Sequence, residues 1–291
     1  AIYPGKYLLE REANEIAVSI YNSNEFNYVT PKSLDERCIV ICCSLKATAE
    51  TVHAVERARQ FGAVTIAMTG SPETGMAKAG EYVVVYSNGD EQIYSQSNQS
   101  MALRLGFEIL HQFEGYPLYH EAMAAFDQID AIVAESKRSM LPAAQSFAVE
   151  YQNDPLFQVL GAGPLYGTAY SMANCHFMEM HWRNAIMIHS GEYFHGPFEM
   201  TSETQPMILL MATGRSRFLD ECVLKFLKTY AKRFIVIDAK DTGIEEHIDP
   251  RIAEFFNSVV MIPLERFFVE QMSKLCKHSM DDRHYMWKVE Y

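Results

Sequence analysis

The chain has 291 residues, 48% of them apolar, and a formal net charge of −12. Such a length accommodates two domains of ordinary size, each with its own core. An acidic balance with scattered Lys and Arg excludes the continuous positive stripe that nucleic acid demands, which leaves small-molecule chemistry.

Residues 1–13 (AIYPGKYLLEREA) carry a helical pattern, and residues 15–22 (EIAVSIYN) alternate as a strand does. No capped start precedes Ala1, and an α/β unit normally opens with a strand, so a strand and its loop are expected upstream. Residues 37–43 (RCIVICC) form a short continuous apolar run, the mark of a strand covered on both faces of a parallel sheet. SLKATAET follows, then a helix through VHAVERARQFG that closes at Gly62. VTIAMTG and EYVVVYSNGD read as the next strands, separated by SPETGMAKAG, whose Pro72, Gly75 and Gly80 break any regular pattern. Helical spacing is expected over 92–114, 119–138 and 143–151, and the loop at Asn153, Asp154 and Pro155 marks the division between domains of residues 1–152 and 153–291. In the second half LFQVLGAG, AIMIHS, PMILLMAT and RFIVIDA read as strands, with helices over 166–182, 217–230 and 264–277, before the tail MDDRHYMWKVEY. Two successive α/β units of similar size point to an internal duplication.

The six cysteines form no CxxC pair and several lie in apolar runs, as expected of reduced thiols in a cytoplasmic protein. No apolar stretch reaches the ~18 residues that span a bilayer, and no signal peptide opens the chain.

Strand, hydroxyl-rich turn and helix, in that order, place Ser44, Thr48 and Thr51 beside free N–H groups at the positive end of a helix dipole, a natural phosphate cradle that also includes Lys46. Thr48 or Thr51 serves equally well as a plain helix cap. In parallel sheets ligands sit outside the carboxyl ends of strands, where Ser44 and the turn after Ser190 should lie.

Residues 174–200 (NCHFMEMHWRNAIMIHSGEYFHGPFEM) hold the other chemistry. Glu179 sits on a helix among Phe177, Met178, Met180 and Trp182, where an unpartnered charge is costly, a setting that suits a general base. His195 precedes Gly196 and Pro197, a pair that ends regular structure around a ring able to titrate near neutral pH. His176 and Glu179 share a helix face, but no His-Glu-x-x-His spacing exists and His181 points elsewhere, so no metal site is expected. The GAGP turn at Gly161 lacks the third glycine of a nucleotide loop and reads as a place of close backbone or helix approach.

The tandem halves, the Ser-led turn after RCIVICC and SGEYFHGPFE resemble the double sugar-isomerase (SIS) domain proteins typified by the isomerase half of glucosamine-6-phosphate synthase. Within that group FMEMHW, HSGEYFHGPFEMT and the terminal YMWKVEY are most similar to the fructosamine-6-phosphate deglycases, which act on fructoselysine, glucoselysine or fructose-asparagine phosphates. The resemblance covers nearly the whole chain and implies an α/β fold of two tandem SIS domains, flavodoxin-like three-layer units with parallel sheets. It implies Glu179 as the base that moves a proton at C1 and C2 of the sugar. It implies His195 as the histidine of acid catalysis and ring opening, reaching the site from the neighbouring subunit of a homodimer, and Ser44 as the first serine of the phosphate turn. That turn departs from the family's Ser-x-Ser-Gly-x-Thr or Ser-x-x-Gly-x-Thr: Lys46, Ala47, Thr48 and Ala49 occupy the region, and Thr48 ranks above Thr51 as the replacement for the family threonine. Ser97, Glu192 and Lys288 are further candidates for substrate contact.

The implied reaction needs one base and one acid and no metal or redox cofactor. Its products are glucose 6-phosphate and an amine or amino acid. An aldose-ketose isomerase or amino-sugar-phosphate deaminase using the same two residues shares these proton transfers, and a non-catalytic sugar-phosphate sensor shares the fold.

Overall fold

In the computed structural model, which describes residues 1–87, 89 and 91–290, RCIVICC becomes strand β1 (Ile39–Cys43), VTIAMTG β2 (Val64–Thr69) and EYVVVYSNGD β3 (Tyr82–Val85). Asn88 and Asp90 of that last segment, like Tyr291 of the tail, lie outside the described residues. The three strands form a parallel sheet in the order β1-β2-β3 within a first compact unit, Ala1–His120. Around it lie α1 (Tyr3–Glu12), α2 (Ser23–Tyr28), α3 (Ala49–Gln60), the short α4 (Gly75–Ala79) and α5 (Asn98–Glu114). Phe26, Leu34, Val55, Ala58, Ala67 and Met76 fill the core between α2, α3, α4 and the sheet. On another face α1 crosses α5 so closely that a Cβ at Gly5 would lie 2.4 Å from the carbonyl oxygen of Ala102, a contact only glycine permits.

Three expectations change here. Residues 15–22 are not a strand: among the described residues no strand pairs with them, and the carboxylate of Glu114 instead accepts the N–H groups of Asn14, Glu15 and Ile16. Alternation describes one face of a segment, but a strand also needs a neighbour's backbone. The SPETGMAKAG connection contains α4, capped by Thr74, whose hydroxyl accepts from the N–H of Ala77. The sequence reading also passed over α2, whose start is held by Asn22 accepting from the N–H of Glu25.

The second compact unit, Glu121–Tyr291, carries a four-stranded parallel sheet in the order β5-β4-β6-β7, made of β4 (Leu156–Gly161), β5 (Asn184–His189), β6 (Met207–Met211) and β7 (Phe234–Asp238). Every residue of β6 is buried, as an apolar run in the middle of a doubly covered sheet must be. Helices α6 (Tyr119–Ala125), α7 (Ile129–Tyr151), α8 (Tyr166–Tyr170), α9 (Arg217–Tyr230), α10 (Ile244–His247) and α11 (Ala253–Cys276) complete the chain. The expected division after residue 152 falls at the junction of α7 and β4, whereas compactness groups α7 with the second sheet, because α7 packs along α11. Phe147 of α7 meets Phe268 of α11 edge-on at 5.9 Å between ring centroids. Both long helices run through a proline, Pro142 and Pro263. The helices expected over 119–138 and 143–151 are joined by α7 across Pro142, and the one expected over 264–277 begins earlier, as α11, because buried packing on either side carries each helix across its proline.

Two parallel sheets in tandem agree with the expected fold class. Gly161 packs against Leu165 and Ala169, so the GAGP turn serves close helix packing. Among the described residues no helix is long and apolar enough to cross a membrane, and the cysteines are free.

Candidate active site

Ser44 leaves the carboxyl end of β1, where its N–H donates to the carbonyl of Met68 at 3.0 Å and its Oγ accepts from the N–H of Thr48 at 3.2 Å. Thr48 occupies the N-cap position of α3 without capping it through its side chain; its hydroxyl lies 3.0 Å from that of Thr51. Ser23, at the start of α2, donates to the same Thr51 Oγ1 at 3.2 Å. Ser23, Ser44, Thr48 and Thr51 therefore gather hydroxyls at the positive end of a 12-residue helix, where the dipole favours an anion. Ser23 carried no signal in the sequence, since only the packing of α2 on α3 brings it to Thr51. Ala47 closes the turn at φ 53°, in the left-handed region that favours glycine, at the place where the expected pattern carries glycine. Lys46 is exposed on the same turn. Ser97 caps α5, accepting from the N–H of Ser100 at 3.2 Å.

In the second unit α8 continues as a stretch of wide π-type turns, Ser171–His181, before Trp182 ends it at φ 58°. Such turns are rare and frequent at functional sites. Phe177 of this stretch stacks on Phe157 of β4 at 4.4 Å and is fully buried. His176 places Nδ1 2.7 Å from Oε2 of the buried Glu265 on α11, and burial pushes the Glu265 carboxyl up from the ordinary range. His176 is thus committed to the core. Among the described residues no group of three or more His, Cys, Asp or Glu side chains stands ready for a metal ion.

Glu179 departs from the expectation of an apolar setting. Its side chain is 25% exposed and accepts from Nε and Nη2 of Arg283 in the C-terminal tail, at 3.1 and 2.9 Å. Phe177 turns into the core while Met178 is exposed, so the hydrocarbon read around Glu179 is spent on other faces of the helix. Glu179 lines a cavity of about 480 Å³ with Met178, Trp182, Asn184, Arg283, His284 and Tyr285 among its walls. The tail docks there through further contacts: the ring of His284 lies 3.6 Å from Trp182, and His278 Nε2 lies 2.9 Å from the carbonyl oxygen of Met180. His181 beneath them is buried, and burial lowers its pKa to about 4, so it is neutral at physiological pH. Lys288 donates to the carbonyl of Arg283 within the tail.

Ser190, at the carboxyl end of β5, is buried and donates to Asp220 of α9 at 2.6 Å. Asp220 also accepts the N–H of Ala212, yet burial raises its pKa to about 6. The turn that follows carries Glu192 and His195, both exposed, with the N–H of His195 donating to the carbonyl of Glu192 at 3.0 Å. Tyr193 between them is fully buried and anchors the turn, packing edge-on against Phe194 and Phe226, with its hydroxyl on Thr201. His195 does not line the cavity at Glu179: that cavity opens beside Asn184, where β5 begins, and the His195 turn follows His189, where β5 ends.

Two successive parallel-sheet α/β units, each with polar turns at the carboxyl ends of its strands, define a protein of the tandem SIS type. A crystal structure of a Salmonella typhimurium LT2 protein provisionally assigned as a phosphosugar isomerase superposes with a TM-score of 0.95 at 37% identity, covering 100% of this chain and 89% of that one. The fructosamine deglycase FrlB of Bacillus subtilis (strain 168) is 35% identical over 100% of this chain and 88% of its own length. The fructoselysine 6-phosphate deglycase of Escherichia coli (strain K12) is 26% identical over 98% of this chain and 81% of its own. No family model matches the chain. The protein belongs to the fructosamine deglycase family, and it is an enzyme.

Proposed function

We propose that the protein cleaves a fructosamine 6-phosphate, an amino-acid adduct such as fructoselysine or glucoselysine 6-phosphate, to glucose 6-phosphate and the free amine. The observation that carries this reading is the Glu179 carboxylate lining a cavity with one oxygen bound and the other without a partner among the described residues. Glu179 removes a proton from C1 of the ketoamine to give an enaminol, and a proton returned at C2 gives an imine between C1 and the amine. Water adds at C1, the C1–N bond breaks, and the amine leaves with a proton. His195 acts as the acid that opens the sugar ring and relays protons. The hydroxyls of Ser44, Thr48 and Thr51, with Lys46, hold the phosphate, whose remote binding energy orients the reacting carbons. Ser97, Glu192 and Lys288 complete the substrate contacts. No metal or redox cofactor enters this balance.

The position of His195 supports a homodimer with shared sites, in which this ring serves the Glu179 of a second copy. It is exposed, it lies at the opposite end of β5 from Glu179, and exposed Phe194, Met200 and Tyr230 surround its turn with apolar surface. Reduced thiols fit a cytoplasmic setting. The test is glucose 6-phosphate release from fructoselysine 6-phosphate and related adducts, with fructose 6-phosphate as the control. Release from the adducts alone is the expected result. Conversion of fructose 6-phosphate alone would replace the reading with an isomerase, and no turnover of either would leave a sensor.

A further inference from the structure

The tail brings to Glu179 a residue that no sequence motif announced. We propose that Arg283 is the positioning residue for Glu179, clamping one carboxylate oxygen so that the other is presented to the substrate; this rests on the reading of Glu179 as the base.

Arg283 has a side chain only 9% exposed although it lies near the end of the chain. Its Nη1 donates to the carbonyls of Met280 and Asp282, both at 2.8 Å, which winds the tail around the guanidinium. The ring of Trp287 covers the group at 5.6 Å, and Lys288 donates to the Arg283 carbonyl. What remains of the donor fork, Nε and Nη2, converges on the single atom Oε1 of Glu179 across 104 residues of sequence. Oε2 makes no hydrogen bond among the described residues, and the carboxylate borders the cavity. Abstraction of a proton from carbon needs a lone pair held in line with the C–H bond, and a glutamate has three side-chain rotors to restrain. Two bonds to one oxygen remove that freedom and leave the second oxygen available.

The experiment compares Arg283→Met and Arg283→Lys in the full-length enzyme. Arg283→Met is expected to lower kcat by about tenfold to a hundredfold, the range for a misplaced catalytic group, with KM near the wild-type value. Arg283→Lys should recover part of the loss, and millimolar guanidinium should rescue Arg283→Met. In a Glu179→Gln background, Arg283→Met should bring no further loss. An unchanged kcat, an effect lying wholly in KM, or a full additional loss in the Glu179→Gln background overturns the proposal. Turnover retained by Glu179→Gln would remove the base and with it the catalytic meaning of the clamp. The clamp is also read without activity, by chymotryptic cleavage at Tyr285 and Trp287: faster cutting in both Arg283→Met and Glu179→Ala is expected, and cutting at the wild-type rate refutes the clamp on its own.

Discussion

Mixing two inactive variants, Glu179→Gln and His195→Ala, asks whether one site draws on two chains. The six-residue strand β5 separates the two residues, and at a rise of roughly 3.3 Å per residue it spans about 20 Å. A base and an acid that serve neighbouring carbons must each lie within about 3 Å of their proton, so a gap of that size leaves no common substrate position within one chain. In the proposed homodimer, a second copy related by two-fold symmetry would remove the conflict by bringing its His195 turn to the cavity at Glu179. Each mixed dimer then holds one site with both residues intact and one with neither. Free exchange of equal amounts makes about half of the dimers mixed, so the mixture should reach about a quarter of the wild-type rate per chain, and purified mixed dimers about half. Co-expression with two affinity tags, tandem purification and a glucose 6-phosphate release assay read this directly. Mixed dimers confirmed by native mass spectrometry that are no more active than either parent would refute the reasoning and return both residues to one chain.

Four further outcomes follow from the same structure. Ser44→Ala should raise KM for phosphorylated substrates more than it lowers kcat, and an unchanged KM would move the phosphate elsewhere. Ala47→Gly relieves a left-handed alanine at φ 53° and should stabilise the protein by about 1 kcal/mol in urea unfolding; a lower urea midpoint would contradict this. For Asp220 the folded pKa of about 6 stands above the ordinary aspartate value of 3.8, so the folded state binds the proton more tightly. The associated stability, roughly 3 kcal/mol, is present below about pH 4 and lost as pH rises through about 6. Asp220→Asn should flatten the stability profile across that window, and a slope equal to wild type would show that Asp220 does not titrate there. His176→Ala strands the buried Glu265 carboxyl and should cost about 3 kcal/mol, the low end for breaking a buried pair because the carboxyl can take up a proton. A joint His176→Leu and Glu265→Met replacement should recover most of it, and a His176→Ala midpoint equal to wild type would dismiss the pair.

Much of the α/β order was legible in the chain itself. PMILLMAT is apolar because a strand covered on both faces leaves no wet side, and every residue of β6 is buried. RCIVICC and RFIVIDA carry similar apolar runs but form the edge strands β1 and β7, where only Cys42 and Ile237 are buried, so the double cover expected of RCIVICC is not found within this chain. Helix α9 was read to its ends because its apolar stripe repeats at helical spacing. Ser44 was legible for a similar reason, since strand, turn and helix are contiguous and the direction of a helix dipole is a local property.

Other features depended on distant partners. Residues 15–22 alternate as a strand does, but pairing is a contract with another segment, and among the described residues none fulfils it. The continuity of α7 and α11 across Pro142 and Pro263 was not legible because a proline's lost hydrogen bond is local, while the packing that outweighs it, Phe147 on Phe268, joins residues from opposite ends of the second unit. Ser23 joined the hydroxyl cluster only when α2 settled on α3. Glu179 shows the limit most plainly. Its immediate neighbours in sequence are apolar, yet a helix turns each side chain to a different face, and the face that Glu179 occupies was supplied by Arg283, 104 residues further on. Sequence specifies what each residue demands of its surroundings, but the partner that meets a charge is chosen by the folded chain, because electrostatic energy depends on distance through space.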